Sequence, residues 1–377
     1  MFSIGKITLD GNYNYGNKLQ NYALQQCLKQ FCPTVDTLIH DEEDFHVLRP
    51  MGQSVCKNIV KFCINWKGYR DKILANSLGR DAIRSYRISQ FDRKYINSYH
   101  LKKQETLEQV GNRYNYWITG SDQVWNPSYK AEEMPAVFLD FAAPSKRIAY
   151  AASFGVSEIP DSWKSQFASW LGNMAYISVR EEKGQEIVKT LTGRDVSVLV
   201  DPTMLLTRKE WDMVASKPSW FNNEKPYILL YFLSAIPEDA VNEIRRIAKN
   251  DHLQVIDLMN MENLDYYTSD PAEFIYLIAH ASLVYTDSFH GSVFSILYER
   301  PFVICDRQGF NATTSMNSRI DTLLNLFGLQ HRLGNHRNHF AVPHPLETSF
   351  SDVKGILDHE RTRSDSYIRQ ALKFNRE

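Results

Sequence analysis

Residues 283–306 read LVYTDSFHGSVFSILYERPFVICD, and no other run narrows the fold so far. Leu283 to Tyr285 are apolar, and the run breaks at Thr286, Asp287 and Ser288. His290 and Gly291 then open a helix-like segment, and Phe302 to Cys305 form a second apolar run. Strand, polar loop, helix and strand in that order make the βαβ unit of a parallel sheet. In open α/β sheets ligands lie beyond the carboxyl ends of strands, which is where His290 falls. A helix starting near Gly291 offers free backbone N–H groups and partial positive charge to an anion.

The rest of the chain repeats this alternation. Strands are expected at 2–9, 35–39, 116–119, 147–152, 176–179 and 196–200, with helices at 19–28, 161–172 and 182–191. Residues 54–100 show no clear strand and read as interrupted helix. The span 206–225, with Lys217-Pro218 and the polar run from Asn222 to Pro226, reads as a linker. A second series starts with the apolar run Tyr227–Leu233, which suits a central parallel strand. It continues with a helix opening at Pro237, a strand at 254–258, a helix at 271–281, the unit above and a helix at 319–327. The tail is polar until a helix at 366–374. A chain of 377 residues exceeds what one core organises. The expected architecture is therefore α/β, with two doubly wound, Rossmann-like domains. The first spans 1–210, the second 226–345, and residues 346–377 form a carboxyl-terminal tail and helix.

A formal net charge of −1 gives no general attraction to nucleic acid, so none is expected as a partner. The five cysteines are scattered and lack metal-ligand spacing, so neither a metal site nor a disulfide framework is expected. The sequence begins without the basic-then-apolar layout of a signal peptide, and no apolar run has spanning length. A cytoplasmic protein is the expectation. Lys57 to Lys103 is locally basic, with twelve Lys and Arg facing Asp71, Asp81 and Asp92. Two readings stay open there: a solvated helical face, or a surface for anionic phospholipid or a pyrophosphate-linked acceptor.

Four places combine chemistry-bearing side chains at strand ends. The loop Gly11 to Asn17 joins a strand to a helix; it is either a capped turn or a site for hydroxyls and phosphates, since Asn both donates and accepts. Thr119 to Pro127 (TGSDQVWNP) puts Asp122, Gln123, Trp125 and Asn126 just after a strand. There Asp122 can take a proton from a hydroxyl and Trp125 can stack on a pyranose; the alternative is a helix cap and a core tryptophan. Arg180-Glu181 ends another strand, as an anion clamp or a surface ion pair. His290, beside Ser288, is either a satisfied structural histidine or an acid at an anion site.

Seven pieces together resemble the polysaccharide pyruvyl transferase family: GNYNYGNKLQNYAL, TGSDQVWN, RIAYAASFG, ISVREEKG, VLVDPTMLL, TDSFHGSVFSILYERPFV and MNSRIDTLLNLFGL. They follow the family's order over most of residues 3–330. The resemblance implies two Rossmann-type domains facing across a cleft, as in B-type glycosyltransferases. It implies an enzyme that uses phosphoenolpyruvate as co-substrate, with no cofactor and no metal. The reaction places a pyruvate ketal on a sugar of a polysaccharide precursor, as in exopolysaccharide or capsule synthesis, and releases phosphate.

By that resemblance His290 contacts the donor and is the catalytic acid. Arg180, Ser288, Gly291 and Arg319 join it in binding phosphoenolpyruvate. Asp122 serves as base on the acceptor side, with Asn17, Gln20 and Trp125 holding the sugar. Many members carry a lysine after the second strand of the histidine unit; here Arg307 or Arg319 must supply that charge, with Arg319 favoured. An acceptor carried on lipid would bring the enzyme to the inner face of the membrane as a peripheral protein. The main alternative is a nucleotide-sugar-dependent B-type glycosyltransferase, although no E-x7-E pair is evident. A non-catalytic carbohydrate-binding protein is the other.

Overall fold

The apolar runs become two parallel sheets. The computed structural model describes residues 2–39, 77–102, 104–129, 131–222, 225–307, 318–334 and 342–374. The first sheet contains β1 (Ser3–Ile7), β2 (Thr34–Ile39), β3 (Ser98–His100), β4 (Tyr116–Thr119), β5 (Arg147–Ala152), β6 (Tyr176–Val179) and β7 (Ser197–Val198). Their order is β3-β2-β1-β4-β5-β6-β7, every neighbouring pair being parallel. The second sheet contains β8 (Tyr227–Tyr231), β9 (Gln254–Asp257), β10 (Leu283–Thr286), β11 (Phe302–Cys305) and β12 (Leu333–Gly334), ordered β12-β11-β10-β8-β9. The first order is that of a dinucleotide-binding Rossmann sheet and the second that of a flavodoxin-like sheet. This is the two-Rossmann-domain architecture of B-type glycosyltransferases. The strand order of each sheet reverses once, between β1 and β4 in the first and between β8 and β10 in the second.

Burial explains the strand composition. β5 is buried at all six positions and β8 at all five, as central parallel strands covered on both faces must be. Helices α1 (Tyr15–Lys29), α2 (Ser77–Tyr95), α3 (Asp161–Gly172) and α4 (Glu182–Thr192) belong to the first series. Helices α5 (Glu238–Asn250), α6 (Pro271–His280), α7 (Phe289–Leu297) and α8 (Ser318–Phe327) belong to the second. Two expectations need correction. The three-residue edge strand β3 lies where no strand was expected, because it pairs only with β2 and needs no apolar run of its own. The last helix, α9 (Val353–Ala371), starts thirteen residues before 366. Its buried stripe of Val353, Leu357, Glu360, Ser364, Ile368 and Ala371 contains two polar members, which hides the helical period. This helix returns to the first sheet, where the Tyr367 hydroxyl donates to the Ala149 carbonyl at 2.7 Å.

The two units meet along α1, α2 and α6. The Tyr15 ring packs on Tyr231 and Phe274 at centroid distances of 5.1 and 4.7 Å, and its hydroxyl donates to the Ser269 carbonyl at 2.9 Å. Arg84, fully buried, donates to the Tyr15 hydroxyl at 2.9 Å and to the Leu258 and Tyr267 carbonyls, with its guanidinium 4.6 Å above the Tyr15 ring. Arg87 reaches Glu273 at 2.7 Å and Arg80 reaches the Met261 carbonyl at 2.7 Å. These arginines of the basic stretch therefore face the second unit rather than a lipid surface. Lys57, Lys61, Lys67, Arg70, Lys72 and Lys103 lie outside the described residues.

Removing the Arg84 guanidinium strands several buried acceptors, each worth about 1–3 kcal/mol. Arg84→Ala is expected to lower the urea-unfolding free energy of the whole chain by about 2–4 kcal/mol. A loss below about 1 kcal/mol would mean that ring packing alone holds the joint.

Candidate active site

The side chains at the strand ends of both sheets converge on one carboxylate. The apolar stretch Val198 to Val200 leads directly to Asp201, which is 1% exposed. Its Oδ1 caps the turn that follows, accepting from the Thr203 N–H at 3.0 Å and the Thr203 hydroxyl at 2.7 Å. Its Oδ2 accepts from Arg180 Nη1 at 2.8 Å, after β6, and from the Ser121 hydroxyl at 2.7 Å, after β4. His290 of the second unit brings Nε2 to 3.5 Å from the same Oδ2, yet makes no hydrogen bond there. Burial alone would raise the Asp201 pKa. The facing His290, Arg180 and Ser121 overcome that and hold it well below the usual carboxylate range.

His290 reaches this point because Gly16 stands opposite. A Cβ on residue 16 would overlap the imidazole at Nδ1, Cγ and Cε1. The first turn of α1 thus admits the ring only as glycine. Asn14 caps that helix through the Gly16 N–H at 2.9 Å, and its oxygen also accepts from the Tyr231 hydroxyl at 3.1 Å. In this way the amino-terminal loop is fixed to the second sheet.

The cations form a compact group. Arg180 lies with its guanidinium 4.4 Å over the Phe289 ring, and Arg319, in the first turn of α8, lies 5.9 Å from the same ring. The Gln123 amide, with its oxygen turned toward Arg319, accepts from Nη2 at 2.7 Å and Nη1 at 2.8 Å. Burial, then Arg180 and Arg307, push the Arg319 pKa down to about 9. A delocalised guanidinium still keeps its proton at neutral pH, so Arg319 sits in a site that resists further positive charge. Asp122, at φ 61°, places Oδ1 3.5 Å from Arg180 Nη2 and accepts from the Gln123 N–H at 2.9 Å. Glu181 is buried, with Oε1 accepting from the Ser153 hydroxyl and the Phe154 and Gly155 N–H groups. A cavity of about 310 Å³ opens beside the cluster, walled by Arg180, Asp201, Phe289, Arg319, Thr322 and Asn325 among others.

Several expected site residues serve the frame instead. Trp125 is fully buried, stacked on Phe138 at 5.1 Å and packed on Phe154, so its faces are closed to any sugar. Gln20 is equally buried and spends its amide on Thr8, the Asn17 carbonyl and the Ser121 N–H. It braces two loops rather than facing a ligand. Ser288 is the N-cap of α7, which starts at Phe289 and not near Gly291; its hydroxyl accepts from the Gly291 N–H at 3.4 Å. That N–H is therefore used inside the fold, and a Cβ at 291 would come within 2.5 Å of the Thr286 hydroxyl oxygen. Asn17 is half-buried in the first turn of α1. His290, Arg180, Arg319 and Asp122 do come together. Asp201, Gly16 and Gln123 were not anticipated in these roles. The Asp201 signal was a carboxylate closing the run VLV, which the following Pro-Thr makes resemble a plain helix cap.

A family model described as polysaccharide pyruvyl transferase matches residues 14–309, most of the chain. Arg319 and α9 lie beyond that match. Among solved structures, the chain is similar to a putative UDP-N-acetylglucosamine 2-epimerase from Listeria monocytogenes. The identity is 11%, over 99% of this chain and 98% of the other, with a TM-score of 0.47. It is also similar to the Anabaena protein HepE in complex with UDP and glucose, at 9% identity, 98% and 99% coverage and a TM-score of 0.43. For MurG from Acinetobacter baumannii the figures are 8%, 99%, 96% and 0.41. No curated protein matches significantly.

Two substitutions probe the cluster. Asp201→Asn leaves Arg180 buried against a neutral group and is expected to remove about 3–5 kcal/mol of stability at pH 7. A depressed carboxyl pKa contributes stability above its unfolded value of 3.8 and loses it as pH falls through the folded value. The gap between wild type and Asp201→Asn in urea titrations should therefore begin to narrow as pH falls below 3.8. A gap that stays constant from pH 7 to 3 would contradict the assignment. Gly16→Ala should displace the imidazole and remove about 1–3 kcal/mol by overpacking, read as a lower Tm; an unchanged Tm would show that the ring has room.

Proposed function

Since the chain belongs to the polysaccharide pyruvyl transferase family, we propose that its interdomain site joins the pyruvyl group of phosphoenolpyruvate to two hydroxyls of one sugar. The product is a cyclic ketal, and phosphate leaves. Family membership makes the protein an enzyme of pyruvyl transfer with a sugar or polysaccharide substrate. The observation that carries the donor reading is the meeting of His290, Arg180 and Arg319 from both units around Asp201 and Phe289, with the two arginines also walling the cavity.

Phosphoenolpyruvate carries a carboxylate and a phosphate, and charge-assisted hydrogen bonds to each contribute roughly 1.5–3 kcal/mol. Arg180 and Arg319, 4.4 and 5.9 Å from the same Phe289 ring, divide these two groups between them. His290 Nε2, without a hydrogen bond in the resting site, is the proton donor to the methylene carbon. Protonation there leaves an oxocarbenium-like centre, which a first sugar hydroxyl attacks while losing its proton. The second hydroxyl displaces the phosphate and closes the ring. Of the two hydroxyl protons, one restores the acid spent on carbon and the other leaves on phosphate. Asp122, beside Arg180, is the base for the attacking hydroxyl.

No helix among the described residues is long and apolar enough to cross a membrane. The same reading makes the enzyme cytoplasmic; with an acceptor carried on lipid, it works at the inner membrane face as a peripheral protein.

Phosphoenolpyruvate should raise the Tm of the wild-type protein, and UDP-sugars should not. His290→Ala should keep that shift while turnover, followed as phosphate release, falls about 10²–10⁴-fold. Arg319→Met should lose most of the shift, since a removed charge-assisted contact weakens binding about tenfold or more. A wild-type protein stabilised by UDP-sugars and indifferent to phosphoenolpyruvate would replace this reading with the glycosyltransferase one.

A further inference from the structure

We propose that Tyr129 is the platform for the acceptor: a pyranose lays one C–H face on the Tyr129 ring and turns a pair of hydroxyls toward Asp122 and the donor. The inference rests on the pyruvyl-transfer reading above and adds to it where the sugar lies and what holds it.

With both faces of Trp125 closed, Tyr129 is the aromatic side chain of the same loop still open to solvent. Val124 and Trp125 are fully buried, whereas Tyr129 is 37% exposed. Its position is fixed by a turn, in which the Ser128 N–H donates to Asn126 Oδ1 at 2.9 Å and the Tyr129 N–H donates to the Asn126 carbonyl at 3.2 Å. The phenol oxygen points inward and lies 3.4 Å from one arm of the Gln123 amide. The other arm of that amide holds Arg319. One side chain therefore separates the Tyr129 hydroxyl from the arginine assigned to the donor.

The electrostatics agree. Burial of the hydroxyl and the nearby Asp122 push the Tyr129 pKa up to about 12, against the opposing pull of Arg319, Arg180 and Arg307. Four charged groups of the cluster thus act on this phenol. It stays neutral, with its polar end anchored inside and the residue as a whole 37% open to solvent. An amphipathic ring in that posture offers a flat apolar face beside a polar site. A sugar lying on it has its hydroxyls within reach of the donor without needing a charged group of its own.

The test compares wild type with Tyr129→Ala, Tyr129→Phe and Tyr129→Trp in the full chain. The probes are phosphoenolpyruvate and a panel of p-nitrophenyl pyranosides, with phosphate release and mass of the product as readouts. Tyr129→Ala is expected to raise the acceptor KM about tenfold, equivalent to one aromatic contact, with little change in kcat. The phosphoenolpyruvate Kd should stay within about twofold, and Phe and Trp should retain acceptor KM because the ring is what matters. An unchanged acceptor KM in Tyr129→Ala, with wild type active, overturns the platform. A KM loss equal in Phe and Ala also overturns it, in favour of a hydrogen bond from the hydroxyl. A wild-type protein that binds phosphoenolpyruvate but pyruvylates no pyranoside overturns the sugar-acceptor reading itself, and the platform with it.

Discussion

One buried carboxylate holds the site in register. Asp201 divides its two oxygens: Oδ1 caps its own turn, while Oδ2 collects Arg180, Ser121 and the approach of His290. A carboxylate so deeply buried is tolerated only when its lone pairs are met by good donors, so each partner is obliged to stay. Those partners come from the loops after β4 and β6 and, for His290, from the other sheet. The position of the imidazole is thus an outcome of domain contact rather than of the SFHG segment alone. Gly16 acts at the same place from the opposite side, by leaving room that any side chain would fill.

Topology explains why these loops meet. Ligand sites in doubly wound sheets form where strand order reverses, because adjacent loops there diverge to opposite faces and leave a crevice. In the first sheet the reversal lies between β1 and β4, whose following loops carry Asn14 and Gly16, and Ser121 to Gln123. In the second it lies between β8 and β10, whose following loops carry Ser234 and Asp287 to His290. Asp287 ties those two together, accepting from the Leu233 and Ser234 N–H groups at 2.7 and 2.9 Å. The residues after β6 and β7, Arg180 and Asp201, join the two sets of loops. The Arg84 and Tyr15 joint sets how closely they face.

Legibility followed physical range. Strand positions and the histidine unit were readable because a buried parallel strand must be continuously apolar and its loop must not be. Arg180, His290 and Asp122 stood out as chemistry-bearing residues just after strands, and Arg319 through the family resemblance; the structure brings the four together. Trp125 was misassigned because an aromatic residue in a polar loop looks the same whether it turns inward or outward. Only the stack with Phe138 and Phe154, 13 and 29 residues away in sequence, decides it. Gln20 and Ser288 failed for a related reason: amides and hydroxyls suit ligand contact and internal bracing equally, and neighbouring N–H groups took them first. The helix Val353–Ala371 was half missed because Glu360 and Ser364 occupy its inward stripe.

The choice of Gln123 as the group that holds Arg319 decides the character of the cluster. A carboxylate at that position would orient the guanidinium equally well but cancel its charge. An amide oxygen fixes the two donors and leaves the positive charge uncompensated by that contact. Meanwhile the nearby carboxylates are engaged: Asp201 by Arg180, Ser121 and Thr203, Glu181 by two backbone N–H groups and a hydroxyl, and Asp287 by its loop amides. Each of them accepts hydrogen bonds from loop or turn groups. The lowered pKa of Arg319 follows from that arrangement, since burial and two other guanidiniums act on it more strongly than Asp122 and Glu181 can offset. On the proposed reading, such a site favours an incoming small anion twice over, by direct hydrogen bonds and by relieving repulsion already present among the arginines.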